Sequence, residues 1–345
     1  MMKTVWERAA ETDKPILLYG TGNGADKILD ELLRLHITVS GVFASDGFVR
    51  KRTFRGFPVM SYSEAKAAFG DFLVLIAFGS ARPEVLGSIA AVAKERELYS
   101  VDVPVYGDTV FNRAFYENHM SEITKVQDAL IDDFSKHVFG NIIGFKLTGQ
   151  IDLLTECQTD KAEAYENILK PGGNEIYMDL GAYNGDTVME FIHFARTYKK
   201  IYAAEPDIKN FKKLCENTAD LKNIERMNLC VTDTPGSIRF SKHGGRNASD
   251  DSGGAMTECS TVDRILDGGE VSYIKFDVEG FEAKAIKGAS GTIKKHKPKM
   301  LVSCYHRSED IFALPLQILA LRPDYKMHIR HYPYIPAWDT QFYFV

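Results

Sequence analysis

The segment 176–206, IYMDLGAYNGDTVMEFIHFARTYKKIYAAEP, decides the fold of the second half of the chain. Two apolar runs, Ile176 to Leu180 and Ile201 to Glu205, flank a glycine-bearing turn and an amphipathic stretch. That is the order of a strand, loop, helix and strand. In a βαβ unit the two strands run parallel, so both strand ends open on the same edge of the sheet. Asp179 and Glu205 stand at those ends, and Gly181 and Gly185, having no Cβ, let the turn between them pass close under a ligand. A carboxylate at the tip of the second strand accepts hydrogen bonds from a ribose diol. The pattern therefore asks for an adenosine-bearing cofactor.

The turn itself narrows the choice. A dinucleotide site uses G-x-G-x-x-G, but Tyr183 takes the middle glycine position here and Asp179 stands just before the turn. A carboxylate there repels a pyrophosphate and suits the positive amino-acid end of S-adenosylmethionine. Through Asp179-Leu-Gly181-Ala-Tyr183-Asn-Gly185-Asp-Thr187, Glu205-Pro206, Thr261-Val262-Asp263 and Ile274-Lys275-Phe276-Asp277-Val278-Glu279-Gly280, the sequence resembles the FkbM family of class I methyltransferases, over residues 171–345. Apolar runs at 224–231, 273–277, 300–305, 325–330 and 341–345 complete a count of seven strands. The last two are joined by His331-Tyr-Pro-Tyr-Ile-Pro-Ala-Trp-Asp339, which has no helical period, so they are expected to pair antiparallel at the sheet edge. The expected fold is α/β, a seven-stranded Rossmann-like sheet with an antiparallel last strand. The resemblance implies S-adenosylmethionine as cofactor and O-methylation of a sugar or other small-molecule hydroxyl.

Asp179 is expected to hold the methionine ammonium, directly or through water, or else to cap the following helix, and Glu205, followed by Pro206, to take the ribose hydroxyls. Asp233 is similar to the family position that meets the adenine amino group, and equally suits a turn before Pro235-Gly236. The catalytic candidates are Asp277, Glu279 and His306, at the ends of the fourth and fifth strands. Three acids as close as Asp277, Glu279 and Glu282 repel one another unless a ligand, a cation or Lys275 offsets them. The helix dipole alone explains Glu282, which is left out of the site. A neutral His306 suits either removal of an acceptor proton or a place beside Asp277 and Glu279 around a divalent metal. The polar stretch from His243 to Gly254 reads as a lid over the substrate or as a surface insertion.

A smaller Rossmann-like domain is expected over residues 1–105. Its strands lie at 16–19, 37–43, 72–78 and 98–103, and its helices follow the turn Gly20-Thr-Gly22-Asn-Gly24-Ala25 and span 83–96. That turn, with Asp46 in the acidic ribose position, reads as a nucleotide site or as plain strand–helix closure. Residues 106–170 form a helical connector and 171–345 the methyltransferase-like domain. A nicotinamide-dependent nucleotide-sugar enzyme is a rival reading, but no Tyr-x-x-x-Lys pair follows the first domain to serve it. A methyltransferase fold that only binds is the other.

Composition agrees with an ordinary globular protein: 345 residues, 45% hydrophobic and 26% charged. The net charge of −5 gives no general attraction to nucleic acid, so the expected partner is a small-molecule acceptor. The five cysteines, Cys157, Cys215, Cys230, Cys259 and Cys304, form no C-x-x-C pair and read as reduced residues of a cytoplasmic protein. No apolar run reaches the roughly 18 residues of a membrane helix, and none near the start resembles an export signal.

Overall fold

The computed structural model describes residues 2–49, 53–243, 246–249 and 255–345. The chain divides into two compact units, one of Met1–Ser121, His137–Gln158 and His331–Asp339, the other of Glu122–Lys136, Thr159–Arg330 and Thr340–Val345.

The first unit is built on a six-stranded sheet ordered Thr53–Phe54, Phe57–Ser61, Gly41–Ala44, Ile16–Tyr19, Leu73–Ile76 and Leu98–Ser100. Ile16–Tyr19 is apolar throughout because it is covered on both faces, with parallel neighbours Gly41–Ala44 and Leu73–Ile76 on either side. Helix Asn23–Arg34 buries Ala25, Ile28, Leu29 and Leu32 in the same core. Phe57–Ser61 and the helix Tyr62–Phe69 lie beyond the expected elements. The strand is a short FPVMS segment interrupted by Pro58 that buries only Val59, and the helix begins at a capping box of Ser61 and Glu64. The unit extends well past residue 105. Lys146, from helix Asp133–Thr148, meets Asp102 at 2.6 Å with both side chains buried, and Ser80 and Ile335 exchange backbone hydrogen bonds of 2.8 and 3.1 Å.

The second unit holds the seven-stranded sheet, ordered Met327–His331, Thr340–Phe344, Lys299–Ser303, Tyr273–Phe276, Ile176–Leu180, Lys200–Ala204 and Ile224–Met227. Ile176–Leu180 runs parallel to Lys200–Ala204 and to Tyr273–Phe276, and Lys299–Ser303 continues the parallel set. Thr340–Phe344 inserts antiparallel beside Lys299–Ser303, with Met300 opposite Phe344. Helix Asp186–Ala195 buries Val188, Phe191 and Ala195, and the rings of Tyr177, Phe191 and Tyr273 form a cluster, Tyr177 lying 4.3 Å from Phe191 and 4.8 Å from Tyr273. Seven strands and an antiparallel insertion are the expected arrangement.

The third strand departs from expectation. It stops at Met227 because the Asn228 amide turns back and donates to the carbonyls of Glu205 and Pro206, at 2.8 and 3.1 Å. The chain resumes as Cys230–Val231 in a separate four-stranded sheet with Ala255–Ser260, Gly236–His243 and Arg246–Ser249. Part of the stretch expected as a lid is thus strand: Phe240–His243 pairs with Arg246–Ser249, while 244–245 and 250–254 lie outside the described residues. Among the described residues no helix is long and apolar enough to cross a membrane.

Candidate active site

Strand register puts Lys275 directly opposite Asp179. Both side chains are buried, and Lys275 Nζ lies 3.1 Å from Asp179 Oδ1 and 3.5 Å from Asp277 Oδ2. It also donates to the Gly181 carbonyl at 3.2 Å. The Thr187 hydroxyl donates to the other oxygen, Asp179 Oδ2, at 2.5 Å. Burial pulls the lysine pKa down, but Asp179 and Asp277 outweigh it and raise it above its ordinary value, so the ammonium stays charged. Asp179 has no exposed surface and both its oxygens are engaged. It therefore anchors Lys275 and, through Thr187, the start of the following helix. Thr187, the second residue of that helix, was not singled out in the sequence.

Both glycines of the turn take a positive φ, which a residue without a Cβ adopts freely. Gly181 has φ 88°, and Gly185, φ 89°, is the N-cap of helix Asp186–Ala195. Glu205 clips this turn to the end of the next strand: Oε2 accepts from the Tyr183 amide and Oε1 from the Asp207 amide, both at 2.9 Å. Burial lifts its pKa to about 7, against the opposing pull of the two backbone donors. Tyr183 itself adopts a left-handed conformation, φ 45°, with its ring exposed.

Asp277, Glu279 and His306 come together as expected. His306 Nε2 is 3.6 Å from Asp277 Oδ1 and 3.4 Å from Glu279 Oε2, and the imidazole has no exposed surface. Nδ1 lies 3.0 Å from Glu282 Oε1, a charged contact in which neither ring nitrogen makes a directed hydrogen bond. Burial would lower the imidazole pKa, but Glu282, Glu279 and Asp277 override it and raise it to about 9. The ring is thus an imidazolium at neutral pH, not the neutral group the sequence suggested. Glu282, set aside above, is fully buried in this cluster, with its oxygens accepting from the amides of Val278 and Gly280 at 2.7 and 3.0 Å. Its place at the start of helix Glu282–Lys287 agrees with the dipole argument, but the histidine contact goes beyond it. Two further residues escaped the sequence reading. The Tyr305 hydroxyl donates to Asp277 Oδ1 at 3.3 Å, and the buried Asp310 has its pKa pushed upward by burial and by Glu282. The only sequence signal for Asp310 is an acid four residues after His306, at a helix start.

Two other candidates are engaged elsewhere. Asp233 pairs with Lys287 at 2.9 Å, which holds its carboxyl below the usual range. Asp46, the acid proposed for a ribose in the first unit, accepts from the Ser63 amide and hydroxyl at 3.1 and 2.7 Å. A surface concavity lined by Asn174, Ile176, Lys199, Glu270 and Lys299 lies at the opposite strand ends from Asp179 and Glu205. Open α/β sheets bind ligands at the carboxyl ends of their strands, which is where Asp179, Glu205, Asp277 and His306 converge.

Residues 179–331 match the family model of the methyltransferase FkbM domain. Among solved structures the chain is similar to methyltransferase FkbM from Methylobacillus flagellatus KT, with TM-score 0.72 and 23% identity over 99% of this chain and 93% of that one. A much weaker likeness, TM-score 0.34 and 13% identity over 53% of this chain and 71% of that one, is to the Aeropyrum pernix fibrillarin in complex with natively bound S-adenosyl-L-methionine. No curated protein matches the chain closely enough to count as a relative. The strand-end site therefore lies within residues 179–331, the part of the chain that is similar to the methyltransferase FkbM domain model, in a chain with a methyltransferase fold.

Proposed function

We propose that this chain transfers the methyl group of S-adenosylmethionine to a hydroxyl of a small polyol-like acceptor such as a sugar. The observation that carries this reading is Glu205, a buried carboxylate at the tip of the second strand that grips the Gly181–Gly185 turn through the Tyr183 amide. An ionised carboxylate has about four acceptor sites; the two backbone amides and the Asn210 side chain engage three, which leaves capacity for a ribose hydroxyl. The donor set thus fits an adenosyl group, held by Glu205 and the 181–185 backbone.

When bound, S-adenosylmethionine supplies an electrophilic methyl. The remaining work falls to the chain. Asp277 and Glu279, both partly open to solvent, accept hydrogen bonds from acceptor hydroxyls and so orient the attacking oxygen. One of these carboxylates takes the hydroxyl proton as that oxygen reacts, since the protonated His306 has no lone pair to offer. The imidazolium instead offsets the mutual repulsion of the acids. A rim this acidic disfavours phosphorylated or nucleic-acid acceptors and suits a neutral polyol. The test is incubation with S-adenosylmethionine and a panel of sugars and polyols, read by mass spectrometry. The expected result is an acceptor one methyl heavier, with S-adenosylhomocysteine in equal amount. Failure of the full chain to bind S-adenosylhomocysteine would reject the reading.

A further inference from the structure

We infer that His306 Nε2, Asp277 and Glu279 bind one divalent transition-metal ion, with Glu282 orienting the imidazole. The spacing comes first. Nε2 stands 3.6 Å from Asp277 Oδ1 and 3.4 Å from Glu279 Oε2. Two ligand atoms that share an ion through bonds of about 2.0 to 2.2 Å lie roughly 3 to 3.5 Å apart, so small side-chain adjustments suffice. Among the described residues the set whose potential ligand atoms all lie within 4.8 Å of one another is Asp277, Glu282 and His306; Glu279 is not in that set and approaches it at the same imidazole, 3.4 Å from Nε2.

The second observation is the histidine. Its ring is fully buried, neither nitrogen makes a directed hydrogen bond, and Nε2 is aimed between two carboxylates. The opposite nitrogen, Nδ1, faces Glu282 Oε1 at 3.0 Å, and that carboxylate is itself pinned by the amides of Val278 and Gly280. A ligating histidine commonly has its other nitrogen held by a carboxylate in this way, which fixes the ring and makes it a better donor. The arrangement assigns Nε2 to the metal, whose binding releases the proton that Nε2 carries in the metal-free chain, and Glu282 to a positioning role. Glu279 is presented from a left-handed backbone, φ 52°, a conformation a non-glycine residue keeps only where its surroundings enforce it. One imidazole with two carboxylates suits manganese, iron or zinc better than calcium or magnesium, which favour all-oxygen sets. The inference concerns ion binding alone and holds whether or not the chain transfers methyl groups.

The full chain, stripped with a chelator, would be titrated with Mn²⁺ and followed by calorimetry and electron paramagnetic resonance. One saturable site is expected, with nitrogen hyperfine coupling from a single imidazole. Glu279→Gln, a change at a half-exposed side chain that leaves the fold intact, should weaken Mn²⁺ at least tenfold. Glu282→Gln should weaken it about 10- to 100-fold, and a folded His306→Ala should lose the nitrogen coupling. No saturable Mn²⁺ binding by the unaltered chain would overturn the inference. So would unchanged affinity in Glu279→Gln, or nitrogen coupling that survives in His306→Ala.

Discussion

Gly181 and Asp277 meet through backbone alone: a Cβ on Gly181 would sit 1.8 Å from the Asp277 carbonyl oxygen. The loop expected to face the cofactor and the loop carrying the acceptor-side acids are thereby held at a spacing that no side chain at position 181 permits. Gly181→Ala combines a disfavoured positive φ with a forced backbone shift, a cost on the order of 2 to 4 kcal/mol. Chemical denaturation should show that loss, together with weaker S-adenosylhomocysteine binding. Unchanged stability would mean that the two loops do not touch.

Lys275→Met should be among the most damaging single substitutions in the second unit. It leaves Asp179 without its buried countercharge, and breaking a buried pair from one side costs about 3 to 5 kcal/mol. Adding Asp179→Asn should restore part of the loss, because the orphaned charge is then gone. Urea denaturation of the single and double variants measures both effects.

If Glu205 holds the cofactor as proposed, affinity should depend on pH. The Glu205 pKa in the folded chain, about 7, lies above its ordinary carboxylate value of 4.5, and the ionised form is the better acceptor for a hydroxyl. Affinity for S-adenosylhomocysteine should therefore rise between pH 6 and about pH 8 and be flat in Glu205→Gln. The folded state binds a proton at Glu205 that the unfolded chain has already released, so the Glu205 contribution to stability should fall as pH rises from 4.5 through 7. Glu205→Ala should weaken binding by on the order of 1.5 to 3 kcal/mol. Calorimetry across pH checks all of these, and a pH-independent affinity in the unaltered chain would remove Glu205 from the site.

Asp277→Asn and Glu279→Gln should lower turnover by roughly 10²- to 10⁴-fold while leaving cofactor affinity nearly intact if both carboxylates act on the acceptor as proposed. Steady-state kinetics beside calorimetry separates the two effects. A matching loss of cofactor affinity would place these acids on the cofactor instead.

A chain begun near Tyr106 should fold poorly. It keeps 137–158 and 331–339 but lacks the sheet of the unit to which they belong, and it strands the buried Lys146 without Asp102. Circular dichroism and thermal melting test this, and a cooperative melt near that of the full chain would contradict it.

How much of this was legible in the sequence follows from the range over which each feature is decided. The alternation of strands and helices from Ile176 to Phe344 was readable because apolar periodicity directly records which face of each element is buried. The turn from Asp179 to Gly185 was readable because its backbone requires glycine at fixed offsets. The third strand's early end was not, since it depends on Asn228 reaching carbonyls 22 and 23 residues earlier. Nor was the inward role of Asp179, which follows from register against Lys275, 96 residues away. Glu282 looked like an ordinary helix-start acid until the fifth strand brought His306 beside it. Residue types and strand order were thus present in the chain as local pattern. Which carboxylate meets which cation, and so which acids remain for a ligand, was decided only in three dimensions, because charge interactions depend on distance through space and on burial, neither of which sequence separation records.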